Sequence, residues 1–492
     1  MMRLTRRALL FASGSVVGGL AVRGLAPHSP SLAGIAPVAA QAGTLNDASL
    51  LSETPVFRHI VIRDDPGEAL VAALRAELKQ AATSGRAVNI GAARHSMGGQ
   101  AIPRHGHAIT CESAFIEPDT AAGTYRVQAG VRWGAVIARL DPLGFSPKVM
   151  QSNNDFGIAS TFSVNAHGWP VPHGPMGSTV RSVMMLLPDG SHVRASRTEN
   201  AGLFRAAMGG YGLIGLITEL EVEMVPNQRL APRFTELPAA QFAQSYVQAM
   251  ADPAITMAYG RLNVDRARFF QDALLVTYSA VADQSALPPA TGSGLVSHVS
   301  RQIFRAQLGN ERVKTWRWYV ETDIGPAIGG DSTRNALINE PVITLDDRDP
   351  RRTDILHEYF VAPEAFPAFL TACAEVIPNS YQELLNVTLR YVAADPDSLL
   401  AYAPTPRIAA VMLFSQEITG RGEADMARMT RELIGQVLAI GGSYYLPYRL
   451  HATHDQLIRA YPLLPDFIRA KQAVDPAGIL RNALWDTYLR TL

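Results

Sequence analysis

Two glycine-rich segments about sixty residues apart place the strongest constraint on how this chain folds. The first runs from Ile90 to Gln100, at the end of a predicted strand at residues 88–90, and the second covers residues 154–168. Small residues in both leave backbone N–H groups uncovered, and several converging N–H donors suit a pyrophosphate. Each segment, taken alone, could equally be a set of tight turns in a β-rich domain.

A third glycine motif, at residues 210–215, matches the G-x-G-x-x-G pattern of dinucleotide-binding folds. That pattern must follow a strand and open a helix, because the helix N-terminus holds the pyrophosphate. Here a predicted helix at residues 201–208 precedes the motif, and an alternating, β-branched segment at residues 213–225 follows it. The order of the elements argues against nicotinamide binding and predicts a tight turn from a helix into a strand.

The composition is typical of a globular protein and excludes several classes of function. The 492 residues predict two or three domains, and 44 Lys+Arg balance 44 Asp+Glu, so no strong field attracts nucleic acid or acidic lipid. The two cysteines, Cys111 and Cys373, cannot form a disulfide framework or a CxxC redox motif, and they could pair or remain separate thiols. His105 and His107 have the spacing of a surface loop without a third ligand nearby, so we predict no metal site.

The first 42 residues are predicted to be an export signal. Arg6-Arg7 precedes a moderately apolar run that contains glycines and serines, and Ala40-Gln41-Ala42 forms a small-x-small cleavage pattern. This arrangement resembles a twin-arginine signal, a route for proteins that are exported already folded. An ordinary secretory signal and an uncleaved anchor are the alternatives. No later stretch reaches 18 uninterrupted apolar residues, so we expect a mature protein without a membrane span, in the periplasm or secreted.

The chain changes in character near Pro226. Before this point, short predicted strands alternate with helices; after it, the strands alternate with longer helices. We predict these longer helices at residues 239–251, 363–376, 422–440 and 455–473. The pattern predicts an α+β fold of more than one domain.

Together and in this order, the glycine-rich segments resemble the FAD-binding domain of the vanillyl-alcohol-oxidase family, also called the PCMH type. Arg94-His95-Ser96 is similar to the family's first loop, residues 157–168 resemble its second segment, and residues 200–218 resemble a third stretch. The resemblance covers roughly residues 50–226 and implies that FAD is the cofactor. It implies FAD contacts at Gly91, Ala92, Ala93, Arg94, His95, Ser96, Gly99, Gln100, Gly157, Ser160, Thr161, Ser163, Asn165, His167, Gly168, Ile217 and Asn482.

In many members of that family, the histidine of the first loop carries an 8α-histidyl bond to the flavin. The resemblance therefore implies such a bond at His95. The alternative is a histidine that packs over the flavin's dimethylbenzene ring without bonding. Doubly linked relatives need a cysteine in the second segment, and residues 151–165 contain none, so we expect a single attachment.

The C-terminal part is similar to aldonolactone and alditol oxidases. Residues 444–451 and 475–482 resemble the end of those proteins, where the tail returns to the flavin domain, and residues 386–395 resemble a strand whose arginine faces the substrate. This similarity implies His451 as the catalytic base. It also implies that Arg390 or Arg449 holds substrate oxygens or the negative charge that develops on the flavin.

Two observations keep other interpretations of this region open. Arg390 and His451 could be ordinary strand residues that make structural hydrogen bonds. Those oxidases often carry Arg-Pro-His-Trp-x-Lys, whereas this chain has Arg449-Leu450-His451-Ala452-Thr453-His454. Because the aromatic residue and the lysine are missing, the similarity does not fix a polyol or a lactone as the substrate.

These inferences combine into a four-part layout. Residues 1–42 are the signal peptide, 50–226 the two-subdomain FAD-binding domain, 227–451 an α+β substrate (cap) domain, and 452–492 a tail that returns to the FAD domain. We expect an enzyme that oxidises a CH–OH group of a polyol, sugar lactone or related alcohol by hydride transfer to flavin N5. Oxygen, a quinone or a cytochrome would accept the electrons. The alternatives are a flavin-dependent sugar epimerase and a non-catalytic periplasmic binding protein.

Overall fold

A computed structural model describes residues 43–63, 67–290, 304–340 and 349–492. The predicted signal peptide at residues 1–42 lies outside these residues. Among the described helices, none combines the length and the apolar character that a membrane crossing requires. Cys111 and Cys373 are both buried free thiols.

The first subdomain is built on a small parallel sheet. The strands at this end of the chain are β1 (Thr44–Leu45), β2 (Thr54–Pro55), β3 (Arg58–Ile62), β4 (Val88–Gly91) and β5 (His107–Cys111). Strands β1 and β2 form an antiparallel pair, and the parallel sheet has the order β3-β5-β4. Helix α1 (Glu68–Thr83) buries Leu70, Leu74 and Leu78, which lie on one face, in a core shared with this sheet.

The second subdomain is an antiparallel sheet. Its strands are β6 (Ile116–Asp119), β7 (Thr124–Gln128), β8 (Phe145–Pro147), β9 (Val180–Leu186), β10 (His192–Ser196) and β11 (Leu216–Pro226). Their order is β10-β9-β11-β7-β6, and β8 pairs with the last residues of β11. The associated helices are α2 (Trp133–Leu140), α3 (Ile158–Ser163) and α4 (Ala201–Ala207).

The G-x-G-x-x-G motif at residues 210–215 lies between α4 and β11. A helix therefore precedes the motif and a strand follows it, which confirms the predicted order and rules out the strand-to-helix turn of a dinucleotide fold. The strand begins at Leu216, three residues later than predicted, because positive φ angles at Gly209 and Gly212 keep the chain in turns up to that point.

The remaining strands form one long antiparallel sheet, the cap sheet. They are β12 (Arg229–Pro238), β13 (Ile255–Leu262), β14 (Asp272–Ala280), β15 (Ser332–Thr333), β16 (Arg352–Val361), β17 (Glu383–Val392), β18 (Arg407–Glu417) and β19 (Ser443–Tyr444). Their order is β15-β12-β14-β13-β17-β18-β16-β19. The helices of this part are α5 (Phe242–Ala249), α6 (Glu311–Tyr319), α7 (Gly325–Ile328), α8 (Arg334–Leu337), α9 (Phe366–Val376) and α10 (Gly420–Ala439).

The tail contains α11 (His454–Ala460), α12 (Leu464–Val474) and α13 (Ala483–Thr487). The predicted single helix at residues 455–473 is therefore two helices, because Pro462 has no N–H with which to continue α11, whereas Pro465 lies in the first turn of α12. The amide of Asn482 donates to the carbonyls of Gln100 and Tyr211 at 2.8 and 2.9 Å, so the tail contacts the first subdomain. The α+β class is as predicted; the four domain limits stay a prediction, which these contacts and the division of the sheets support.

Candidate active site

A cavity of about 880 Å³ lies between the two subdomains and the cap sheet, within the size range of small-molecule sites. One wall consists of the loop after β4 together with residues 151–169. The opposite wall is one face of β16, β17 and β18, where every second side chain points the same way. The cavity-lining positions are Asp354, Leu356 and Glu358 on β16, Asn386, Thr388 and Arg390 on β17, and Val411 and Leu413 on β18.

The loop after β4 brings uncovered backbone to the cavity. Small side chains line it at Gly91, Ala92, Ala93 and Ser96. Within the described part of the chain, the backbone N–H groups of Ala93, Arg94 and Ser96 donate to no protein acceptor. Free N–H donors on residues that line a cavity are the groups that hold a pyrophosphate.

Arg94 fastens this loop to the parallel sheet. Its φ is positive (50°), and its guanidinium donates to Thr110 Oγ1 at 2.6 Å and to the carbonyls of Ile109 and Ala101 at 3.2 and 3.3 Å. Burial lowers the pKa of Arg94 to about 10, and the positive charge of Arg132 acts in the same direction. Arg94 therefore lines the cavity, and its guanidinium stabilises the conformation of the loop.

The far end of the loop is held by other parts of the chain. The Gly99 N–H donates to Asp47 Oδ2 at 2.8 Å, and the Gln100 amide donates to the carbonyls of Leu446 and Tyr448 at 2.7 and 2.9 Å. A β-carbon on Gly98 would stand 2.5 Å from the Tyr448 carbonyl oxygen. The loop therefore meets residues 446–448 at distances that only glycine permits at position 98.

The second segment contributes hydroxyl groups to the same cavity. Ser160 and Ser163 line it, and their hydroxyls have no hydrogen-bond partner among the residues that the structure describes. Thr161 also lines it, but its hydroxyl accepts from Trp133 Nε1 at 2.8 Å. A β-carbon on Gly157 would stand 2.6 Å from the β-carbon of Ala92, so glycine lets the two segments touch.

His95 lies where the two segments meet. Its ring centroid is 4.3 Å from that of Phe156, and its Nε2 is 3.7 Å from Asp155 Oδ2. The side chain is 22% exposed and lines the cavity.

Charged and aromatic groups from three separate parts of the chain converge on the cap-sheet side of the cavity. Glu358 Oε1 lies 2.5 Å from His167 Nε2, and the Tyr448 hydroxyl donates to Glu358 Oε2 at 3.1 Å. Arg390 donates to the His167 carbonyl at 3.1 Å and to Ser152 Oγ at 2.7 Å. Burial lowers the pKa of His167 and of Arg390 below their ordinary values, while the Glu358 charge opposes both shifts.

The structure brings most of the predicted site residues together. Those that line the cavity are Gly91, Ala92, Ala93, Arg94, His95, Ser96, Gln100, Ser160, Thr161, Ser163, His167, Ile217 and Arg390. The predicted residues that do not line it are Gly99, Gly157, Asn165, Gly168, Asn482, His451 and Arg449.

Two of the predicted residues that do not line the cavity still support its walls. The Asn165 amide donates to Asp395 Oδ2 at 2.8 Å, and its oxygen accepts from the Gly177 N–H at 2.9 Å. A β-carbon on Gly168 would stand 1.8 Å from the Met150 carbonyl oxygen. These residues set the backbone path and do not present a polar group to the cavity.

The structure does not support His451 and Arg449 as catalytic residues. His451 is buried outside the cavity, with Nε2 2.8 Å from Glu423 Oε1 and Nδ1 3.2 Å from Thr430 Oγ1. Arg449 is paired with the same Glu423 oxygen and donates to the Met97 carbonyl at 3.3 Å. Both side chains are turned toward α10, where they pair with the half-buried Glu423 carboxylate and not with the cavity.

Glu358 and Tyr448 are the site residues that the sequence analysis missed. Glu358 stands in β16 among apolar neighbours, in the run from Ile355 to Val361, and it is 3% exposed. A carboxylate inside a buried strand is rare unless it is paired. That pattern was the available signal for Glu358, whereas the partner Tyr448 is distant in sequence.

Comparison with known proteins agrees with this geometry. Residues 70–196 match the family model of an FAD binding domain. An alditol oxidase from a Streptomyces species is 32% identical over 126 residues, which are 25% of this chain and 30% of that protein. A D-arabinono-1,4-lactone oxidase from Yarrowia lipolytica is 29% identical over 100 residues, 20% of this chain and 19% of that protein. Cytokinin dehydrogenase 8 from Oryza sativa is 28% identical over 213 residues, 38% of this chain and 39% of that protein.

These alignments therefore span less than half of the length of the curated relatives. The fold likeness extends further. The crystal structure of 6-hydroxy-D-nicotine oxidase from Arthrobacter nicotinovorans superposes with a TM-score of 0.60 at 14% identity, covering 91% of this chain and 95% of that one. At this identity the likeness shows a shared fold.

The residues present fit the cofactor that the family model names. Two segments without bulky side chains border one cavity, and free backbone N–H groups and serine hydroxyls stand along it. Among the described residues, no group of three or more His, Cys, Asp or Glu side chains could hold a metal ion. Residues 70–196 carry an FAD binding domain within a chain that shares the fold of 6-hydroxy-D-nicotine oxidase, and FAD is the cofactor of this protein.

Proposed function

We propose that this protein is an exported FAD-dependent oxidoreductase that oxidises a CH–OH group of a small alcohol or carbohydrate-like substrate. The observation that carries the proposal is the cavity that joins Ser96 and Ser160 of the cofactor segments to Arg390 and Glu358 of the cap sheet. A redox cofactor and its substrate must share one enclosed space. The relatives named alditol oxidase and D-arabinono-1,4-lactone oxidase support an alcohol or lactone as substrate.

When bound, FAD supplies the acceptor for the two electrons and the hydrogen that leave the alcohol carbon. The protein's task is to orient the alcohol and to balance its charge. Arg390 suits this role because it lines the cavity and its terminal nitrogens are fixed on His167 and Ser152. A cation held in this way can balance negative charge on a substrate oxygen without reorganisation.

The proposed link between His95 and the 8α carbon of the flavin is supported by the position of the ring. His95 lines the cavity in the loop whose backbone would hold the pyrophosphate, and Phe156 packs on one side of its imidazole. Asp155 Oδ2 lies 3.7 Å from Nε2 of the same ring, so a carboxylate faces the imidazole.

Export by the twin-arginine route is part of the proposal, with Arg6-Arg7 as the recognition pair and cleavage after Ala42. The route carries folded proteins, and a covalently held cofactor cannot be lost outside the cytoplasm. The electron acceptor would then be oxygen, a quinone or a cytochrome.

The decisive experiment combines a visible spectrum with anaerobic mixing. We expect the purified protein to be yellow and to lose its flavin absorption when mixed with one of five alcohols: D-sorbitol, xylitol, D-arabinono-1,4-lactone, benzyl alcohol or cyclohexanol. Readmission of oxygen, a quinone or cytochrome c then identifies the acceptor from the rate at which colour returns. A colourless protein would favour the binding-protein alternative, and bleaching followed by recovery without any acceptor would favour an epimerase.

A further inference from the structure

Glu358 occupies the point where the cofactor segment, the cap sheet and the C-terminal region meet. His167 comes from the second cofactor segment, Glu358 from β16, and Tyr448 from the stretch after β19. Arg390 on β17 is tied to the same place through the His167 carbonyl. All four residues line the cavity.

Each carboxylate oxygen of Glu358 is held by one neighbouring side chain. Removing a carboxylate from water is costly unless it is paired and hydrogen-bonded, and here His167 and Tyr448 each occupy one oxygen. Because each oxygen has more than one lone pair, each has capacity to accept a further hydrogen bond. Transfer of a proton to Glu358 requires no second acidic side chain.

Two other candidate groups, His451 and Asp354, are engaged by different partners. His451 is enclosed by Glu423 and Thr430 outside the cavity. Asp354 lines the cavity but is paired with Arg305, with Oδ1 2.8 Å from a guanidinium nitrogen. Glu358, in contrast, shares His167 as a hydrogen-bond partner with Arg390, the group proposed to balance the charge of the substrate oxygen.

The geometry points to Glu358 as the group that accepts the hydroxyl proton of the substrate, with His167 and Tyr448 as its positioning residues. This inference rests on the proposed function. The O–H bond breaks toward a Glu358 oxygen, while the carbon-bound hydrogen leaves with its electron pair for the flavin. The C–O single bond becomes C=O, and the two-electron oxidation of the alcohol matches the two-electron reduction of FAD. The proton stays on Glu358 until it is passed to solvent.

The test compares Glu358→Gln with the wild-type holoenzyme, using the alcohol of the panel that bleaches the wild type fastest. Glutamine keeps the size and the hydrogen-bonding reach but cannot accept the proton. We expect the rate constant of anaerobic bleaching to fall by about 10²–10⁴-fold, as for loss of a general base. FAD content, Tm and the alcohol's dissociation constant, read from its perturbation of the flavin spectrum, should stay within about twofold of wild type.

Two further variants separate proton transfer from structure. Glu358→Ala opens a space for formate, and we expect its bleaching rate to rise with formate concentration. His451→Gln is the matched control for a buried histidine that is outside the cavity, and we expect bleaching within about twofold of wild type.

The outcomes distinguish this inference from the function itself. Bleaching of Glu358→Gln at the wild-type rate would overturn the role of Glu358 and leave the oxidoreductase proposal standing. Loss of FAD or a lower Tm in Glu358→Gln, with no recovery of Glu358→Ala by formate, would assign the residue to structure and overturn the inference. If no alcohol bleaches the wild type, the proposed function fails first.

Discussion

Gly157 stands so close to Ala92 that a β-carbon on the glycine would lie 2.6 Å from the β-carbon of the alanine. The two residues belong to different cofactor segments, 65 positions apart in the printed sequence. The backbone of Gly157 is extended, with φ −77° and ψ 142°, so a larger residue would meet no backbone strain. Any effect of substitution there therefore reports the contact between the segments.

We expect Gly157→Ala to push the two segments apart and to lower FAD occupancy. Overpacking of this kind typically costs about 1–3 kcal/mol, which corresponds to roughly 5- to 150-fold weaker binding if the cost falls on the FAD-bound state. The ratio of flavin to protein absorbance after dialysis measures the effect, best in a His95→Ala background where FAD can exchange. Gly202→Ala is the matched control, because a β-carbon there has nothing within 4 Å. Equal occupancy in the two variants would contradict the prediction.

The covalent link makes a prediction about acid precipitation. We expect wild-type protein to stay yellow in the precipitate and to yield one flavin-bearing peptide that contains His95. The His95→Ala variant should still bind FAD through the two cofactor segments but release it into the supernatant. Mass spectrometry of the peptide is the direct measurement. A colourless wild-type precipitate would rule out the link and leave FAD binding unaffected.

Export can be tested by substitutions confined to the predicted signal peptide. Replacing Arg6 and Arg7 with lysine keeps the charge but removes the guanidinium pair. We expect the precursor to accumulate in the cytoplasm, while the wild type is found outside it with Gly43 as its first residue. Cell fractionation and N-terminal sequencing measure the two outcomes. Normal export of the double variant would exclude the twin-arginine route.

The buried His357 predicts a loss of stability in acid. Burial lowers its pKa from 6.5 to about 3; the positive charge of His451 acts in the same direction, and Glu423 opposes it. Between these two pKa values the unfolded chain binds a proton that the folded chain excludes, so stability rises with pH. The stabilisation is fully present above pH 6.5 and is lost as the pH falls from 6.5 toward 3.

The measurement is the free energy of unfolding in urea between pH 7 and pH 4. His357→Gln removes the titration, and we expect its slope against pH to be smaller than that of wild type by roughly 1.4 kcal/mol per pH unit. His173, whose pKa burial lowers to about 4, titrates in both proteins and cancels in the comparison. Parallel curves for the two proteins would contradict the assignment.

The cofactor side of the site was predictable because its signals are local. A strand followed by small residues and His95-Ser96 can be found without knowledge of distant contacts, and the structure places these residues on the cavity. The order of helix, glycine turn and strand around residues 210–215 could likewise be predicted from the sequence. In each case the constraint on the backbone lies within a few neighbouring residues.

The substrate side was not predictable in the same way. His451 fits the sequence pattern of a catalytic histidine, but Glu423 on α10 turns it away from the cavity, and 28 residues separate the two. The role of Glu358 depends on its contacts with His167 and Tyr448, which lie 191 and 90 residues from it in the sequence. His167 and Tyr448 lie outside β16 and reach Glu358 only through tertiary packing, which no local pattern specifies.

The contacts of the first cofactor loop also set an order of events during synthesis. Gln100 is held by the carbonyls of Leu446 and Tyr448, and the Gln100 carbonyl by Asn482. A chain emerging from the ribosome therefore contains the loop long before it contains the residues that fix it. The loop can reach its final shape only after nearly all of the chain has been made, so cofactor capture must be a late, post-translational event. A protein truncated before residue 446 would present the loop without its supports.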